Sequence, residues 1–157
     1  MDVLALSDED RVWVDDFVRH RWGAPTVVSR GRIHRPSELP GFLAVEGAEK
    51  LGLATYSIEG EACEIVTIDS VVERAGVGSG LVEAVAEAAR AARCRRLWFV
   101  TTNDNLGMLR FSQKRGFALV AVHREALNES RKLKPQIPLL GIEGIPLRDE
   151  LELELLL

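Results

Sequence analysis

Only two cysteines, Cys63 and Cys94, occur in the 157 residues. They stand neither in a Cys-x-x-Cys pair nor beside clustered histidines, so the pattern supplies no metal centre and no redox pair, and both read as small buried hydrophobes. Long apolar runs are also missing. Apolar residues make up 46% of the chain, yet no stretch comes near the roughly eighteen uninterrupted apolar positions of a membrane helix. The opening, MDVLALSDED, has neither the basic start nor the apolar stretch of a secretory signal, so a cytoplasmic setting is expected. An excess of positive charge is absent as well: the net charge is -4, with Arg and Lys spread along the chain. No whole-molecule field would draw such a protein onto nucleic acid or an anionic membrane, and neither is expected as a partner. The length suits one well-filled core, so residues 1–157 read as a single domain.

What is there is a clear succession of elements. Ser7 and the acids after it suit a helix N-terminus, and Trp13, Val14, Phe17 and Val18 recur at helical spacing before Trp22-Gly23. Three short apolar segments, TVVSR, GFLAVEG and KLGLATYSIEG, are separated by turn residues and read as strands of an antiparallel meander. EACEIVTIDSVV continues it as a fourth strand, apolar on both parities and so covered on both faces. A helix over about 79–93 and the strand RRLWFVTT follow; strand, helix, strand in one sheet implies a parallel pair between the fourth and fifth strands. NDNLGMLRFSQKRG reads as a helix capped by Asn103 or Asp104 and stopped by a left-handed Gly116. The strand FALVAVHR, a short helix over 126–133, a Pro-rich loop over 135–146 and the alternating ELELELLL complete an α+β fold, a mixed and largely antiparallel sheet with helices on both faces. The last strand reads either as internal or as an edge that pairs with a second copy.

In ERAGVGSGL, Gly76, Gly78 and Gly80 stand at the mouth of a helix. Backbone N–H groups there have no intrahelical acceptor and the helix dipole favours an anion, so bare glycines would let a phosphate come close. Tight strand-to-helix packing is the other use of such glycines. A Walker loop would need Gly-Lys-Ser/Thr, whereas Leu81 follows Gly80, and a dinucleotide fingerprint belongs near the start of a doubly wound sheet, not after four strands.

The order of elements resembles the GNAT family of acetyl-CoA-dependent N-acetyltransferases, whose pyrophosphate loop reads Gln/Arg-x-x-Gly-x-Gly/Ala. Gly76 and Gly78 match it, with Glu73 at the Gln/Arg position and Arg74 beside it. The second family signature, an asparagine, a helix closing on an aromatic and then Gly-Phe, is matched by NLGMLRFSQKRGF at Asn105, Gly116 and Phe117. Ser112 stands where many members carry a tyrosine that protonates the departing thiolate. The resemblance implies a fourth strand that bulges and splays from the fifth, so that the main chain of Ile68, Ser70, Val71 and Val72 holds the pantetheine arm and polarises the carbonyl. It implies phosphate contacts from the N–H groups of Arg74, Ala75, Gly76, Val77, Gly78, Ser79, Gly80 and Leu81, with Asn105 and Phe111 flanking the pantetheine or adenosine end. Acetyl-CoA is then the co-substrate, a small-molecule or peptide amine the acceptor, transfer is direct within a ternary complex, and a homodimer is expected. A catalytically silent acyl-CoA-binding module is the alternative that Glu73 and Ser112 suggest.

For the general base the resemblance of CEIVTIDSV to histone-type members points to Glu64, which a period of two puts on the face shared with Val66 and Ile68. An apolar setting would raise its pKa and suit it to take a proton from an amine through water. Tyr56, the chain's only tyrosine, reads either as core filling or as a replacement for the missing acid. His123 falls in step with Phe117, Leu119 and Ala121, the parity of a core or sheet-edge residue. SRGRIHR at 29–35 reads as a solvated loop or as an anion-binding part of the acceptor site; in the second case its three arginines around His34 point to a carboxylate or phosphate on the acceptor.

Overall fold

The computed structural model describes residues 1–72 and 76–157, so Glu73, Arg74 and Ala75 and the roles expected of them lie outside the described residues. The chain runs β1 (Asp2–Ala5), α1 (Arg11–Trp22), β2 (Val27–Ser29), β3 (Arg32–His34), β4 (Gly41–Glu46), β5 (Glu49–Glu59), β6 (Ala62–Ser70), α2 (Val77–Ala91), β7 (Arg96–Thr102), α3 (Leu106–Lys114), β8 (Ala118–His123), α4 (Ala126–Leu133) and β9 (Glu150–Leu156). Among the described residues seven strands form one sheet in the order β1-β4-β5-β6-β7-β9-β8, and β2 and β3 form a separate hairpin. No described helix is long and apolar enough to cross a membrane.

Strand alternation divides the apolar residues between two cores. Leu43 and Leu53 turn to the side of α1, where Val14, Val18 and Val27 meet them. Ala44, Ala54, Ile65 and Leu97 turn to the side of α2, whose Val77, Leu81, Val85 and Ala89 form a buried stripe at helical spacing. Burying a side chain such as Leu81 fully contributes about 2 kcal/mol. α2 lies so close to β5 that a Cβ at Gly52 would stand 2.7 Å from Val77 Cγ1, which explains a glycine in mid-strand.

The meander is present as β4, β5 and β6, all antiparallel. Three local expectations are corrected and one strand is added. TVVSR does not join the meander: it pairs with RIH across a two-residue turn in which Arg30 and Gly31 both have positive φ, 49° and 75°, as tight hairpins require. The same pairing shows that SRGRIHR is a hairpin, not a loop. An unexpected edge strand, β1, lines the sheet against β4. The cap of α3 is Asn105, whose side chain accepts the Met108 N–H at 3.1 Å; Asp104 instead accepts the Ile142 N–H, and Asn103 those of Arg148 and Asp149, tying down the Pro-rich loop. Gly116 takes the expected left-handed stop at φ 91°. β9 is internal, paired with β7 on one side and β8 on the other. The free sheet edges are therefore β1 and β8.

Candidate active site

The parallel pair β6–β7 is held by only three residue pairs, Ala62↔Arg96, Cys63↔Leu97 and Glu64↔Trp98. Beyond Glu64 the strands part, although β6 continues to Ser70 and β7 to Thr102. β6 also bulges: Thr55 faces Thr67 while Tyr56 faces Ile65, leaving Val66 without a partner residue. Val71 N–H donates to Leu51 O at 2.8 Å. Alternation along an antiparallel ladder then aims the N–H and C=O of Asp69 and Thr67 at β5, and those of Ile68 and Ser70 into the gap between β6 and β7. The gap is thus lined by main chain of Ile68 and Ser70, whereas Val71 spends its N–H on β5; the side chain of Val72 packs against the α2 core.

The mouth of α2 opens beside this gap. Its three glycines serve three purposes. Gly76 has φ 93° and open space where a Cβ would lie; a Cβ at Gly78 would stand 2.7 Å from Phe111 Cε2, and one at Gly80 3.0 Å from Met1 Cε. The first intrahelical bond runs from Gly80 N–H to Gly76 O at 2.9 Å. Among the described residues, the N–H groups of Gly76, Val77, Gly78 and Ser79 precede the first intrahelical bond and have no acceptor within the helix; Gly80 uses its donor inside the helix and Leu81 is a fully buried core residue. Arg115 crosses this mouth: it donates to Ser79 Oγ at 2.8 and 2.6 Å and to Phe111 O at 2.7 Å, with its guanidinium 3.6 Å from the Phe111 ring centre. No carboxylate among the described residues pairs with it.

At the point where β6 and β7 part, Glu64 is buried on the side of the β2–β3 hairpin. Ser29 Oγ donates to Glu64 Oε2 at 2.5 Å, and His34 Nε2 lies 3.7 Å from Glu64 Oε1. Burial raises the carboxyl above its ordinary pKa, opposed by the Ser29 hydrogen bond and Arg32 and reinforced by Glu150 and Glu152. Because the bulge places Val66 and Thr67 on successive positions between Glu64 and Ile68, the expected face changes: Val66 shares Glu64's side, in the core of α1, and Ile68 lies with α2. Tyr56 is on the α2 side too, stacked on Phe42 with ring centres 6.0 Å apart, so the sheet separates it from Glu64.

The chain matches the family model described as the acetyltransferase (GNAT) family over residues 7–117. It is 43% identical over 152 residues to the uncharacterised protein YdhI of Bacillus subtilis (strain 168), covering 96% of this chain and 95% of that protein. The chain belongs to the GNAT acetyltransferase family. Solved structures agree on the fold: a Bacillus subtilis acetyltransferase in complex with CoA superposes with TM-score 0.69 at 19% identity, covering 99% of this chain and 97% of that one. A GNAT acetyltransferase from Elizabethkingia anophelis with acetyl-CoA bound gives TM-score 0.67 at 23% identity over 77% of this chain and 78% of that one.

Within this GNAT fold the two sequence signatures converge at one place. Gly78 of the loop packs on Phe111 of α3, and Asn105 holds the start of that helix. Ser112 is fully buried and its hydroxyl donates to Met108 O at 2.8 Å, a helix-internal bond that occupies it. The arginines of SRGRIHR do not offer free charge: Arg30 pairs with Glu150 at 2.9 Å, Arg32 with Glu59 at 2.6 Å and Arg35 with Asp15 at 3.2 Å. The expectation of an acidic acceptor loses its basis there. His123 bonds Glu152 at 3.0 Å and lines a cleft of about 400 Å³ between the hairpin turn and α4; the register shift between Leu119 and Ala121 takes it out of step with Phe117 and Leu119, so the expected parity does not hold. Two residues escaped the sequence reading. Ser29 gave no signal because a serine in a short polar stretch is ordinary, and Arg115 gave none because a basic residue in the last turn of a helix is equally ordinary.

Proposed function

We propose that the protein is an N-acetyltransferase that moves an acetyl group from acetyl-CoA to a primary amine by direct transfer, with Glu64 as the general base. The observation that carries this reading is a buried, proton-attracting carboxylate standing where β6 and β7 begin to part, beside main-chain groups that no strand uses. The residues fit acetyl-CoA: Ile68 and Ser70 have donors free for the pantetheine arm, and Gly76 to Ser79 with Arg115 make a cationic cradle for a pyrophosphate. The solved neighbours that hold acetyl-CoA or CoA support the same choice. Acetyl-CoA supplies a thioester whose carbonyl carbon the amine attacks and whose C–S bond breaks. Glu64 takes the proton that the amine must lose, and gap-facing N–H groups of β6 stabilise the charge that develops on the carbonyl oxygen. Neither Ser112, whose hydroxyl is occupied, nor Tyr56, across the sheet from Glu64, is given the acid role. A thiol ionises near roughly 8.5 in water, so the thiolate can leave unaided.

For the acceptor we propose a neutral or cationic amine. The hairpin arginines are neutralised, whereas Glu64 and Asp69 are buried carboxylates on the same side of β6, Asp69 being met by Arg21 at 3.3 Å and by the Trp22 side chain. Calorimetric titration with acetyl-CoA, followed by thiol release with a panel of acidic, neutral and basic amines, tests both statements. Micromolar binding with turnover abolished in Glu64→Gln is the expected result. Binding without turnover on any amine would favour a silent acyl-CoA-binding module, and a preference for acidic amines would reverse the acceptor assignment.

A further inference from the structure

Buried polar atoms without a partner are rare in folded proteins. Among the described residues two side-chain atoms are in that state, His34 Nε2 and Asp69 Oδ2. The first faces Glu64 Oε1 at 3.7 Å, with both side chains 7% exposed. The second oxygen of Glu64 is already bonded to Ser29. Ser29 and His34 arrive together on one buried face of the hairpin, since His34 pairs with Val27, two residues before Ser29. The hairpin adds no strand to the main sheet, yet it delivers two polar side chains to one carboxylate.

We propose that His34 is a positioning residue for Glu64, its Nε2 accepting a hydrogen bond from Glu64 Oε1 once that oxygen carries the proton taken from the acceptor amine. This rests on the reading of Glu64 as the base. A neutral imidazole with its hydrogen on Nδ1 presents a lone pair at Nε2. While Glu64 is a carboxylate, the lone pair meets a negative oxygen and stays unbonded. When the N–H bond of the amine breaks and an O–H forms at Oε1, that O–H donates to Nε2, and a closure from 3.7 Å to the usual 2.7–3.0 Å or so completes the bond. Ser29 holds Oε2 in both states, and His34 neither gains nor loses a proton. The protonated form of Glu64 thus acquires a buried hydrogen bond that the carboxylate lacks. Burial and the nearby Arg32 lower the pKa of His34, which favours the neutral imidazole. The other charged groups facing the pair are Glu150 and Glu152 of β9, tied to Arg30, His123 and Arg96.

The full chain has only three histidines, so their imidazole nitrogens can be followed individually by ¹⁵N NMR. Across the range in which Glu64 titrates, His34 is expected to stay neutral with its hydrogen on Nδ1. Its Nε2 resonance should move with a midpoint above the ordinary glutamate value of 4.5, and that movement should vanish in Glu64→Gln. Protonation of His34 in this range, a hydrogen on Nε2, or a resonance indifferent to Glu64 overturns the proposal. In kinetics, His34→Phe should move the acid limb of kcat/KM down by about one pH unit while leaving acetyl-CoA affinity unchanged. An unmoved limb means packing alone, and an upward shift means a charged His34 paired with Glu64; either defeats the idea. Should His34→Phe not fold, the titration of the unmodified protein decides. Failure of the base reading is separately visible as Glu64→Gln retaining both turnover and the acid limb.

Discussion

A buried carboxyl group resists ionisation, and Glu64 therefore works against the fold it serves. Below the ordinary glutamate value of 4.5 the side chain is neutral in both the folded and the unfolded chain, and its contribution is complete. As pH rises, the unfolded chain ionises first, so stability falls through the window up to the raised folded value and stays lower above it. Glu64→Gln removes that loss while keeping a partner for Ser29. Its melting temperature at neutral pH should exceed that of the parent by roughly 2–4 °C, with the gap closing in acid, even though turnover is lost. A variant that melts lower at pH 7 and equal in acid would show that ionised Glu64 is better paired than its burial implies.

At the scale of elements, the mouth of α2 and the gap beside β6 each make a separate claim. In urea denaturation, Gly78→Ala should cost about 1–3 kcal/mol, because the new methyl lands 2.7 Å from the Phe111 ring. Gly76→Ala meets nothing but must hold φ at 93°, at a cost of about 1–2 kcal/mol, whereas Gly80→Ala meets the flexible end of Met1 at 3.0 Å and Val3 Cγ2 at 3.4 Å and should be nearly neutral. If all three behave alike, the division of labour among the glycines is wrong. Amide hydrogen exchange tests the gap. Thr67 and Asp69 N–H, aimed at β5, should be protected with or without ligand, while Ile68 and Ser70 N–H should exchange fast and slow by at least about tenfold when acetyl-CoA is added. Equal protection of all four in the free protein would mean that the gap is closed.

Across the whole molecule, the sheet is continuous but unevenly tied. The β1-β4-β5-β6 part meets the β7-β9-β8 part through three residue pairs, and the core under α2 spans both. Cys63 lies at this seam, completely buried, with its thiol pushed up to about 12 mainly by burial; Cys94 is 6% exposed in the same core. Neither should react with a thiol reagent at pH 8 in the folded state, and both should react in denaturant. Rapid labelling of Cys63 without denaturant would reveal opening of the seam.

The order of helices and strands from β4 to β9 and the helix-mouth glycines were legible in the sequence, and the resemblance added the Asn105 and Gly116-Phe117 signature and the candidacy of Glu64; β1 and the pairing of β2 with β3 were not legible. Periodicity, caps and turns are short-range properties, and each of these features sits within one element or one turn. The bulge at Val66, which moves Ile68 to the other face from Glu64, was not legible, because register belongs to two strands and not to one. The same holds for the partners of the charges. Ser29 reaches Glu64 across 35 residues and Arg30 reaches Glu150 across 120, distances over which no local pattern carries information. Only the folded chain decided that the arginines are neutralised, that a two-residue turn brings Ser29 and His34 to one carboxylate, and that one histidine nitrogen waits there without a partner.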